Sequence, residues 1–121
     1  MTAAEVMHYL PHGHRAETRV TSDLRPQLKA AALGQASVGA APVVIVVAAE
    51  PGRLSQRYGA EADAFTDLEA GHATQNMLLQ AVVRGLAAVP VGSLDGSRVA
   101  RTLGLPPGQE VVYLIPVGFA A

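Results

Sequence analysis

From Leu68 to Gly92 the chain reads LEAGHATQNMLLQAVVRGLAAVPVG, and this stretch leaves little freedom in how the rest can fold. On a helix, Glu69, His72, Asn76, Gln80 and Arg84 recur every three or four positions and form a single polar stripe. Leu68, Ala73, Met77, Leu78, Leu79, Ala81, Val82 and Val83 take most of the remaining circumference, more than the one apolar stripe of a surface helix. The pattern predicts a helix buried on most sides. Its polar stripe either meets water or forms a subunit interface or pocket wall. Thr66 and Glu69 have capping-box spacing at its start, Gly85 stops it, and Leu86 to Val91 reads as a short strand.

A chain of 121 residues is about one domain. Half of it is apolar but only 4% is aromatic, so the core must be built from small side chains. A chain with so much apolar surface is expected to complete its core against a second subunit. The net charge of −1 gives no electrostatic footprint for nucleic acid or an anionic membrane. Cysteine is absent, which rules out disulfides, thiolate nucleophiles and Cys-ligated metals, so redox chemistry here requires a bound cofactor. The run Ala40 to Ala49 is too short to span a bilayer, and the first residues lack the pattern of a secretory signal, leaving a cytoplasmic location as the expectation.

Val6 to Leu10 and Ala16 to Val20 read as hairpin strands around the turn Pro11, His12, Gly13 and His14. His12 and His14 have no third ligand nearby, so they read as exposed turn histidines and no metal site is expected. Ser22 or Asp23 caps a helix from Leu24 that takes Pro26 in its first turn and ends near Gly34. Ala41 to Ala49, APVVIVVAA, is continuous and β-branched, the pattern of a central strand buried on both faces. Glu50 to Gly59 forms a short helix or turn carrying Arg53, Arg57 and Tyr58. Asp95 or Ser97 caps a helix through Leu103, Gly104 stops it, and Val111 to Val117 is a final apolar strand. The order predicts one domain over 1–121, α+β or α/β around a small sheet. It contains no phosphate loop, GxGxxG or serine-nucleophile motif.

Four segments, DLRPQLKAAALGQASVGAAPVVIVVAAE, RYGAEA, EAGHATQNMLLQAVVRGLAAVPVGSLD and LGLPPGQEVVYLIPVG, run in order along the chain. Together they resemble the C-terminal half of the flavin-dependent nitroreductase family. The likeness is closest to its SagB-type branch, whose members include azoline dehydrogenases acting on peptide natural products. The resemblance implies an α+β fold with a small mixed or antiparallel sheet and a long central helix. It also implies FMN at the interface of a dimer whose central helices pack together, here Leu68 to Leu86. The turn after the next strand passes the flavin N5 edge in such proteins, which marks Pro90, Val91, Gly92 and Ser93 as the cofactor-binding candidates. A glycine there admits close backbone approach, although a glycine ending a strand is common without any ligand.

In that branch a Lys-Tyr pair ahead of the central helix removes the substrate proton. Arg57 and Tyr58 stand at the matching place and are the catalytic candidates. Tyr58 suits a base or proton relay, whereas arginine stays protonated and is a poor base. The family's N-terminal Arg-rich segment, which holds the FMN phosphate, has no counterpart in this sequence, and no Lys or Arg follows Gly118. A buried phosphate without cationic partners is costly. Three readings follow: an enzyme completed by another chain, a non-flavin dimerisation or scaffold subunit of a peptide-modifying or flavin complex, or a homodimer in which Arg15, Arg19 or Arg53 replaces the missing contacts. A peptide is the substrate class the resemblance implies.

Overall fold

The computed structural model describes residues 4–120. An antiparallel hairpin comes first, β1 (Val6–Leu10) with β2 (Arg15–Val20), closed where the His14 N–H donates to the Pro11 carbonyl at 3.1 Å. It forms a two-stranded sheet of its own. The chain continues through α1 (Arg25–Ala31), α2 (Ala36–Ala40), β3 (Val43–Ala49) and α3 (Gly52–Tyr58). A 3-10 turn at Gly59–Glu61 leads into α4 (Ala62–Val83), followed by β4 (Ala87–Ala88), α5 (Gly96–Leu103) and β5 (Glu110–Gly118).

The main sheet is antiparallel with the order β3-β5-β4. Successive residues of β5 face opposite sides, so the sheet is covered twice. On one face, Val44, Val46 and Leu114 pack with Leu28, Val38 and Val99 from α1, α2 and α5. On the other, Ile45, Ile115 and Val117 look toward Met77 and Ala81 of α4. Leu114 and Ile115 are fully buried. Each contributes roughly 1.5–3 kcal/mol of transfer free energy. The fold is α+β, with a small antiparallel sheet and one long helix, as the sequence predicts.

Several local signals act as expected. The Asp95 carboxylate accepts from the Arg98 N–H at 3.1 Å and caps α5, whose end takes Gly104 at φ 66°. Gly85, at φ 72°, stops α4, and the Leu86 N–H returns to the Ala81 carbonyl at 2.8 Å. Pro26 sits in the first turn of α1, where Asp23 receives the Arg25 N–H at 3.0 Å.

Four expectations are corrected. The long helix begins at Ala62, not beside a Thr66 capping box: Thr66 lies inside it, buried, its hydroxyl donating to the Ala62 carbonyl at 2.7 Å. That helix is not buried on most sides either. Only the small residues Ala62, Thr66, Ala70, Thr74 and Ala81 are buried, because a single sheet face supports α4 within the chain. The Ala41 to Ala49 run becomes an edge strand, not the central one, and Val43 is exposed; β5 takes the centre because both β3 and β4 pair with it. The strand after α4 is cut to Ala87–Ala88, because Pro90 has no N–H for the ladder. Pairing resumes at Val91 opposite Leu114. Among the described residues no helix is long and apolar enough to cross a membrane.

Candidate functional site

Pro90, Gly92 and Ser93 are exposed, and Val91 between them is buried and anchors the turn. Val91 and Leu114 exchange both backbone hydrogen bonds, at 2.7 and 3.1 Å, and the Val91 side chain is buried in the core. Beyond the turn, the Ser93 carbonyl accepts from Gln35 Nε2 at 3.3 Å and the Asp95 N–H donates to the Ala31 carbonyl at 2.8 Å. The two ends are thus held by β5 and by the α1–α2 connection. Between them, the N–H groups of Gly92 and Ser93 meet no protein acceptor among the described residues.

At Gly92 the backbone runs beside an aromatic ring. A Cβ at this position would stand 3.4 Å from Cε1 of Tyr113. Tyr113 pairs with Val47 on β3, and its ring edge reaches the turn at Gly92. Tyr113 escaped the sequence reading because a continuous apolar strand does not tell which residues face which side. Its alternation with Ile115 and Val117 was the available signal, but it needed the register to be read.

Arg57 and Tyr58 close α3. The Tyr58 ring meets Phe65 edge-on with centroids 4.9 Å apart, and the Arg57 guanidinium carbon lies 5.4 Å from the Tyr58 centroid. The pair is therefore a stacked unit against the start of α4, a cation over an aromatic face. Tyr58 is 39% exposed. Among the described residues no hydrogen bond or ring contact joins this pair to the turn at Gly92. The turn is anchored beside the middle of β5, where Val91 pairs with Leu114, whereas Arg57 and Tyr58 end the helix that follows β3 and pack on Phe65.

The cations proposed for phosphate differ in availability. Arg19 lies 3.3 Å from Glu17, and Arg53 lies 2.6 Å from Glu50. Arg15 and Arg57 have no carboxylate partner among the described residues. Asp23 is engaged by Arg25 through side chain and backbone, which lowers its pKa from 3.8 to about 2. Gln109 and then Arg53 hold Glu50 below its ordinary value. Both carboxylates fasten structure away from the turn: Arg25 also donates to the Ala41 carbonyl at 2.9 Å, and Gln109 reaches Glu50 at 2.7 Å.

Two hollows flank these groups without touching Arg57, Tyr58 or Gly92. An apolar one of about 200 Å³ lies between the sheet and the end of α4, with Gln80 and Arg84 on its wall. A polar one of about 460 Å³ lies at the start of α5. No group of three His, Asp or Glu residues able to hold a metal occurs among the described residues, His12 and His14 included. Those two histidines sit on the hairpin turn, where His14 Nδ1 is 2.9 Å from the Tyr9 hydroxyl.

An α+β fold of this kind, with a small antiparallel sheet and a long helix, is found in known proteins. The chain matches the family model described as "Nitroreductase family" over residues 3–119 and belongs to that family. A nitroreductase-type protein of Methanocaldococcus jannaschii is 30% identical over 113 residues, covering 93% of this chain and 56% of the relative. The crystal structure of a nitroreductase-type protein of Anabaena variabilis superposes with a TM-score of 0.91 at 23% identity, over 99% of this chain and 25% of that one. The NADPH:FMN oxidoreductase of Vibrio harveyi superposes with a TM-score of 0.68 at 27% identity, over 78% of this chain and 45% of that one. The chain thus spans about half the length of the curated relative it matches.

Proposed function

We propose that this chain is the part of an FMN-dependent oxidoreductase that presents the flavin-edge turn and the subunit-pairing helix. The observation that carries the reading is the turn at Gly92: two backbone N–H groups without a protein acceptor among the described residues, hydrogen bonds holding both ends of the turn, and a glycine beside Tyr113. Membership of the nitroreductase family and the FMN named for the Vibrio harveyi neighbour support it. The donor set fits the polar edge of a flavin ring. FMN, when bound, supplies a carrier for two electrons. The chain's own part is to donate from Gly92 and Ser93 to the ring edge, to keep side chains out of its plane at Gly92, and to exclude water with Tyr113. Of Arg15, Arg19 and Arg53, Arg15 has no carboxylate partner among the described residues and is the candidate for its phosphate. The SagB-type branch, and with it oxidation of azoline rings in a peptide, is the finer reading. There Tyr58 takes the substrate proton and Arg57 orients it.

A second reading keeps the fold without the flavin: a scaffold subunit that pairs with another chain of a peptide-modifying or flavin complex. The stacking of Arg57 on Tyr58 and of Tyr58 on Phe65 favours it, because both candidate catalytic groups already have packing roles. Dimerisation through α4, as homodimer or heteromer, belongs to both readings and is supported by the exposed Leu68, Leu79, Val82 and Val83.

FMN fluorescence quenching on titration with the purified protein separates the two. The flavin reading predicts saturable quenching that Gly92→Val weakens by at least about tenfold, the worth of roughly 1.4 kcal/mol of ring-edge contact. Absence of quenching by the unmodified, folded protein contradicts it.

A further inference from the structure

Phe119, the residue after β5, is 83% exposed, yet it stands two residues beyond Val117, which lines the apolar hollow between the sheet and the end of α4. Alternation along β5 puts Ile115 and Val117 on the wall of that hollow, and Phe119 is the next residue of the same series. The facing strand runs in step. Ala88 pairs with Val117 and Ala87 with Gly118, and Leu86, the next in line, also lines the hollow. One further step of the ladder sets Phe119 opposite Leu86, on the hollow's side of the sheet.

That step needs no backbone donor already in use. Val91 exchanges hydrogen bonds with Leu114, and the Val89 N–H donates to the Pro116 carbonyl at 3.3 Å, so the hydrogen-bonded pairs fall at Val91, Val89 and Ala87. Leu86 opposite Phe119 is then a non-hydrogen-bonded pair, the kind that brings side chains closest. The Leu86 N–H stays on the Ala81 carbonyl, where it closes α4 at 2.8 Å. The size fits as well: an apolar cavity of about 150 Å³ holds a benzene molecule, and the hollow measures about 200 Å³. Arg84, on its wall, has no carboxylate partner among the described residues and is a cation available to the face of a ring. The strand is held up to the residue before Phe119, because Gly118 passes so close to Pro42 that a Cβ there would stand 2.9 Å from the proline Cδ. We propose that Phe119 is a latch on its own chain: the backbone after Gly118 continues the β4–β5 ladder by one pair and lays the phenyl ring into the hollow, against Leu86 and Met77 and beneath Arg84. Closure takes both the ring and the apolar wall out of water. It goes beyond the flavin reading and does not depend on it.

The ring carries its own reporter in the unmodified protein. Nuclear Overhauser contacts are expected between the Phe119 ring and the methyl groups of Met77 and Leu86, with those methyls shifted upfield by the ring current, and Phe119→Ala is expected to abolish both signals. The chain has no cysteine, so the double variant Leu86→Cys with Phe119→Cys reads the register. On mild oxidation it should close a disulfide within one chain, since a non-hydrogen-bonded pair brings its Cα atoms well within the roughly 7 Å that a disulfide allows. A Phe119 ring with no contact to Met77 or Leu86, and methyl shifts unchanged in Phe119→Ala, overturns the latch. Contacts found only between isotope-labelled and unlabelled chains in a mixed sample, together with a disulfide that joins two chains, assign the hollow to a neighbouring copy and overturn closure within one chain.

Discussion

At the scale of single residues, three substitutions probe distinct parts of the structure. The Thr74 hydroxyl is buried in α4 with no hydrogen-bond partner among the described residues. Thr74→Val replaces it with a methyl of the same shape and is expected to stabilise the chain by about 1 kcal/mol in urea unfolding. Destabilisation would mean that the hydroxyl finds a partner in the assembled protein. Asp23 has a folded pKa of about 2, below its usual 3.8, so its support for the fold is full above 3.8 and is lost as pH falls toward 2. The stability gap between the unmodified protein and Asp23→Asn should therefore be widest near neutrality and close by about pH 2. A gap that persists in acid would show that the Arg25 pairing is not its source. At the proposed proton-transfer pair, Tyr58→Phe should lower turnover by roughly 10²-fold or more while folding is kept. Unchanged turnover would leave Tyr58 with only its packing on Phe65.

At the scale of elements, α4 decides most. Leu79→Glu, on its outer face, should abolish the oligomer while leaving the circular dichroism of the monomer intact, as measured by light scattering. Loss of secondary structure instead would mean that Leu79 supports the monomer fold. What was legible in the sequence divides along the reach of each signal. The hairpin around Pro11 to His14, the Asp95 cap, the Gly85 and Gly104 stops and β5 were readable because each depends on a few neighbouring residues. Strand order was not, because Ala41 to Ala49 is equally apolar at an edge or a centre and pairing partners lie far off in sequence. The start of α4 was misplaced because Thr66 offers the same hydroxyl to a cap or, as here, to the carbonyl one turn back. α2 went unseen because Ala36–Ala40 is a single turn without periodicity. At the candidate site, the turn Pro90 to Ser93 was placed by resemblance to a family. Tyr113, its neighbour in space, needed the β3–β5 register.

At the scale of the whole molecule, the chain is a nitroreductase-family fold that spans about half the length of its relative, with one well-packed face and one open face. The sheet is closed on the α1, α2 and α5 side, where Leu28, Val38, Val99 and Leu114 are buried. On the α4 side it is covered by a helix that leaves Leu68, Leu79, Val82 and Val83 exposed among polar residues. The β1–β2 hairpin forms a separate sheet, and two strands alone are marginally stable in water. Each open feature is consistent with a protein finished by assembly. Flavin binding and pairing are joined in this account, and size-exclusion chromatography of the protein incubated with FMN reads both at once, with light scattering and flavin absorbance recorded across the same peak. The account predicts a dimer mass with flavin absorbance under it. A monomer peak without flavin would contradict it.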